Sequence, residues 1–124
     1  MSVIGIASNE LDTEEKAEKL IRDAIGLEYG RIICRDIGGS DPERMGPGMV
    51  EEYLRKTFNN TCIKMSVVAG HQSFVKDYPL FAAVDRCADA VHRHRGRIIY
   101  LEYTGEDVEK TYMFVGESYQ SLPT

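Results

Sequence analysis

At 124 residues, with 43% hydrophobic and 28% charged side chains, the chain has the size and apolar content of one globular domain. A disordered segment buries too little to fold and is far more polar. The net charge of −5 argues against a nucleic-acid partner, because such binders neutralise phosphates with Lys and Arg. No apolar run approaches the roughly 18 residues of a membrane span, and no signal peptide opens the chain, so the expectation is a cytoplasmic protein with no membrane partner.

Residues 2–7 (Ser2-Val3-Ile4-Gly5-Ile6-Ala7) predict a short buried strand broken by Ser8-Asn9-Glu10. A helix start follows: Asp12 or Thr13 can cap, Glu15 can close a capping box, and acidic residues in the first turn suit the helix dipole. Ala17, Leu20, Ile21, Ala24 and Ile25 fall at helical spacing, and Gly26 is the expected stop. Residues 31–37 (Arg31-Ile32-Ile33-Cys34-Arg35-Asp36-Ile37) are rich in β-formers and predict a second strand. Residues 38–48 are a Gly- and Pro-rich loop. Pro47 suits the first position of a second helix, whose inward face is Val50, Tyr53, Leu54 and Phe58, with Asn59-Asn60 ending it.

A third strand is expected over residues 62–69, terminated by Gly70-His71-Gln72-Ser73. Asp77 and Pro79 then open a third helix, with Leu80, Phe81, Val84, Cys87, Ala88 and Val91 as its apolar stripe. His92-Arg93-His94-Arg95 form its basic last turn and Gly96 stops it. The last strands, 97–104 and 108–116, alternate and are separated by Gly105-Glu106-Asp107, as in an antiparallel hairpin. Residues 117–124 are expected to form a flexible tail.

The order of elements is therefore β-α-β-α-β-α-β-β in a single domain, 1–124. The expected fold class is α/β, with α+β as the variant: a mixed sheet of about four or five strands in a two- or three-layer sandwich, closed by the C-terminal hairpin. Cys34, Cys62 and Cys87 lie inside apolar patterns without any CxxC, which predicts buried thiols in a reducing compartment.

In sheets with parallel strands, ligands bind at the carboxyl ends. That rule gathers Asn9, Asp36, Gly39, Ser40, Asp41, Arg44, His71, Gln72 and Ser73 at one edge. His71 is the candidate general acid or base, oriented by Asp36 or Asp41. Asn9, Gly39, Ser40, Asp41, Arg44, Gln72 and Ser73 are the candidate ligand-binding residues. The loop over 38–48 offers an anion cradle only weakly, since it matches neither GxGxxG nor a P-loop. His92 and His94, two apart on a helix, do not share a face, so no metal site is expected, and no motif implies a cofactor. Arg93, Arg95 and Arg97 offer at most a modest anion or RNA contact. The leading expectation is a domain binding a small molecule, metabolite or nucleotide-like, at the strand ends. The alternatives are a small metal-free enzyme using His71, and an assembly subunit pairing through the hairpin. An open edge strand predicts a homo-oligomer in each case.

Overall fold

The structure, a computed structural model, describes Gly5 and residues 12–117. Apart from Gly5, the predicted first strand and Asn9 lie outside the described residues, as does the predicted tail from residue 118 onward. The chain divides into two compact units, one ending at Gly39 and the other beginning at Ser40.

The first unit is carried by one helix, α1 (Glu14–Gly38). Thr13 caps it, its side chain accepting the Lys16 N–H at 3.3 Å, with Glu14 and Glu15 in the first turn. Asp12 takes the Lys16 ammonium instead of the cap. The helix does not stop at Gly26. It runs through Gly26 and Gly30 and takes in residues 31–37, the predicted second strand. A strand needs a neighbouring ladder to satisfy its backbone groups, whereas a helix satisfies them internally, and β propensity depends heavily on that context. Helix-spaced charges favour the helical solution. Arg22 pairs with Glu18 and Lys19 with Asp23, while Glu28 takes both Arg31 and Arg35 across the supposed strand boundary. Such exposed pairs support the helix only modestly, and they offset part of the cost of its interior glycines. No residue of α1 is buried.

The second unit holds α2 (Pro47–Thr57), β1 (Lys64–Ala69), α3 (His71–Asp77), α4 (Pro79–Asp85), a 3-10 turn (His92–His94) and β2 (Arg97–Glu102). The start of α2 at Pro47 follows the sequence, and Leu54 is its buried residue. Its end is also as expected: Asn60 adopts a left-handed φ of 61°. Gly70, at φ 96°, makes the turn from β1 into α3 in a conformation that favours glycine.

The predicted third helix is broken up. Pro79 biases the residue before it away from the helical region. Tyr78, at φ −140°, accordingly separates α3 from α4. Past Asp85 the chain leaves the α-helix for turns and the 3-10 segment, so the apolar stripe ends early.

Among the described residues the sheet has two strands, antiparallel, with Lys64 opposite Glu102 and Ala69 opposite Arg97. This overturns the α/β sandwich of four or five strands. The described elements run α-α-β-α-α-β, with four α-helices, and no parallel crossover exists between their strands. The C-terminal hairpin is likewise absent: the partner of β2 is β1, and residues 108–116 carry no strand. An alternating pattern sets the two faces of a strand but names no partner, which is why it misled here.

Among the described residues the buried apolar side chains are Leu54, Phe74 and Ala82, one each from α2, α3 and α4. Phe74 is 1% exposed and meets the Phe81 ring edge-on, with centroids 4.8 Å apart. No described helix is long and apolar enough to cross a membrane.

Truncating Phe74 in so small a core is expected to be costly. Phe74→Ala should destabilise the second unit by about 3–5 kcal/mol, while Val75→Ala, at an exposed position, should cost less than about 0.5 kcal/mol. Urea unfolding followed by circular dichroism checks the contrast; equal midpoints for the two variants would contradict this core.

Candidate functional site

The polar run after β1 is the first turn of α3. His71 opens the helix, Gln72 is exposed, and the Ser73 N–H reaches the Gly70 carbonyl at 3.1 Å. The carboxylate beside His71 belongs to Asp85, the last residue of α4. His71 Nδ1 stands 3.8 Å from Asp85 Oδ2, and neither atom has a hydrogen-bond partner. That distance exceeds a hydrogen bond and becomes an ion pair when the imidazole is protonated.

Asp85 is 6% exposed. Its other oxygen, Oδ1, accepts the Gly96 N–H at 2.7 Å. A side chain at residue 96 would strike this carboxylate and the Phe81 ring, so the close approach requires glycine. Arg97 continues the network. It donates to the carbonyls of Arg95 and Gly96 and, through Nε at 2.9 Å, to Glu51 on α2. Glu51 also accepts two hydrogen bonds from Arg55. The Arg55 hydrogen bond is the largest influence on Glu51; together with Arg97 it outweighs partial burial and holds the carboxyl below the usual glutamate value of 4.5.

On the surface of this region lies an open cleft of about 250 Å³, lined by His71, Val75, Pro79, Ala82, Ala83 and Arg86. It is mostly apolar, with His71 and Arg86 as its polar members.

The other predicted residues are placed as follows. Asp36 lies on α1, in the unit that ends at Gly39. Gly39 caps α1, its N–H reaching the Arg35 carbonyl at 2.8 Å, and Ser40 begins the other unit. Asp41 builds a turn: its side chain accepts the Glu43 N–H and its carbonyl accepts those of Arg44 and Met45. Arg44 is exposed. The shared edge that was to gather these residues presupposed a strand at 31–37, and that segment is helix.

Glu43 receives the basic run near the end of the second unit. Arg93 and His94 both bond to it, and the Arg93 hydrogen bond chiefly holds its carboxyl below the ordinary range. Arg95 pairs with Asp89 and Arg97 with Glu51, so these arginines are engaged inside the protein. No group of three or more His, Cys, Asp or Glu among the described residues is arranged to hold a metal ion. Cys34, Cys62 and Cys87 are free and exposed, not buried, because α1 buries nothing and the other two sit in turns.

Asp85 and Arg86 were missed. A signal for Asp85 was present: it lies four residues after Phe81 and three before Ala88, a charged residue on the apolar face of the predicted helix.

Comparison with known proteins gives one informative relationship. The chain is 40% identical, over 113 residues, to a Caenorhabditis elegans protein named as a putative aminopeptidase. The match takes in 90% of this chain and 21% of that protein, so the chain spans about a fifth of the length of its curated relative. No family model matches the chain. No solved structure matches it either.

The Asp85–Gly96 contact can be dissected by substitution. Asp85→Ala leaves the Gly96 N–H without its acceptor and should destabilise by about 1–3 kcal/mol. Asp85→Asn keeps an oxygen for that N–H and should cost clearly less. Gly96→Ala should cost about 1–3 kcal/mol through overpacking. Thermal unfolding of the three variants checks the order, and an Asn variant as damaged as the Ala variant would refute it.

Glu51 predicts a pH dependence. Its folded-state value is depressed, so the stability it contributes is present above the unfolded value of 4.5 and is lost as pH falls through the folded value. Glu51→Gln should therefore be less stable than the parent at pH 7, and the difference should shrink as pH drops below 4.5. Urea midpoints measured from neutral to acid pH test the sign.

Proposed function

We propose that this chain serves in a protein of the aminopeptidase type, one that removes residues from the amino end of a peptide, and that it forms a packing sector of that protein. The observation that carries this reading is the 40% identity over 113 residues to a protein so named. The limited share of the relative, 21%, is what supports a sector in place of a whole enzyme.

The surface supports the sector reading independently. Tyr112, Met113, Phe114 and Val115 are consecutive and exposed, Phe114 at 92% and Val115 at 85%. Leu101 and Tyr103, at and just beyond the end of β2, are exposed as well. A run of exposed large apolar side chains of this kind favours contact with further protein. In this reading the rest of the aminopeptidase-type protein covers it. The expectation of a metabolite- or nucleotide-binding domain yields its first place, because the edge that was to build the pocket rested on a strand that is helix.

The test uses native protein captured with an antibody raised against residues 40–117, offered a panel of aminoacyl-aminomethylcoumarins with zinc, manganese or magnesium supplied. Release of the fluorophore, lost on immunodepletion, is the expected result. The 124-residue chain alone should release none. A native protein inactive on every substrate overturns the aminopeptidase reading, and an active isolated chain overturns the sector reading.

A further inference from the structure

We propose that the cleft beside α3 and α4 binds a small monocarboxylate with an apolar body, the chemistry shared by a free hydrophobic amino acid and the carboxyl end of a short peptide. The site stands on the local geometry of α3 and α4 and does not depend on the aminopeptidase reading.

Arg86 is the anchor. Within the second unit Arg55, Arg93, Arg95 and Arg97 each hold a carboxylate. The Arg86 side chain, which lines the cleft, makes no hydrogen bond or ion pair among the described residues, while its backbone N–H bonds the Ala82 carbonyl. A guanidinium offers a planar fork that matches the two oxygens of a carboxylate.

The remaining lining sets the rest of the ligand. Val75, Pro79, Ala82 and Ala83 present carbon, so an inorganic anion would leave most of the cleft unused. The volume of about 250 Å³ is smaller than the roughly 300–1,000 Å³ of drug-sized sites, which suits one residue-sized body. His71 supplies the second polar contact, with the buried Asp85 carboxylate 3.8 Å away. The single charge of the Arg86 guanidinium matches a monoanion.

The experiment follows the His71 imidazole resonances of the 124-residue chain by NMR during titration with 4-methylpentanoate, leucine, Gly-Gly-Leu, leucinamide and inorganic phosphate. The first three should move His71 saturably, while leucinamide, which lacks the carboxylate, and phosphate should not. Tighter binding of Gly-Gly-Leu than of leucine assigns the site to a peptide end, and the reverse assigns it to the free amino acid. Arg86→Gln should weaken 4-methylpentanoate about tenfold or more, and Lys64→Gln, at an exposed cation outside the cleft, should leave it unchanged. No saturable shift with any carboxylate, leucinamide binding as well as leucine, or an unchanged affinity in Arg86→Gln overturns the proposal.

Discussion

One hydrogen bond organises the second unit: the buried Asp85 carboxylate accepting the Gly96 N–H at 2.7 Å. It ties the end of α4 to the residue before β2. From there Arg97 braces the carbonyls of residues 95 and 96 and reaches Glu51 on α2. The Asp85 and Glu51 carboxylates together thereby tie one strand to two helices. Taking a carboxylate out of water is expensive unless its oxygens find partners. Oδ1 has one, and Oδ2 faces an imidazole 3.8 Å away. The carboxylate that latches the fold is thus also the one that stands beside His71 in the candidate site.

The latch matters because the apolar core is so limited. Leu54, Phe74 and Ala82 are the apolar side chains buried among the described residues. All come from helices, while the strands are half-buried or exposed. Non-directional packing on this scale leaves many arrangements of short helices close in energy, since jigsaw fit and not mere burial selects one. Directional contacts such as Asp85–Gly96 and Arg97–Glu51 discriminate among them. A residue without a side chain at position 96 is then a geometric necessity.

What could be read from the sequence divides along a physical line. Signals acting over a few residues were legible: the cap at Asp12-Thr13, Pro47 opening α2, Asn60 ending it, the strands at 64–69 and 97–102. Signals that depend on distant partners were not. Residues 31–37 carry β-formers, yet they complete a helix whose charges pair across the boundary at Glu28. Alternation at 108–116 described a strand, but β2 chose β1. The site suffered in the same way. His71 was legible because it follows a strand, whereas its partner Asp85 is placed by tertiary contact, and the convergence of Asp36, Ser40 and Asn9 rested on a strand order that local patterns do not determine. Pro79 was legible as a helix start, and the same residue also splits the helix that was expected to begin with it.

The exposed run at residues 112–115 brings the fold and the proposed function together. Fully burying a large apolar side chain stabilises by about 1.5–3 kcal/mol, an upper estimate because unfolded chains already shield some surface. Covering Tyr112, Met113, Phe114 and Val115 would thus contribute on the order of 10 kcal/mol. That is comparable with the roughly 5–15 kcal/mol by which a whole domain is held. The contribution available from outside the described core therefore rivals anything its three buried apolar side chains supply. In the proposed sector reading, a chain with that imbalance gains much of its order from what it packs against.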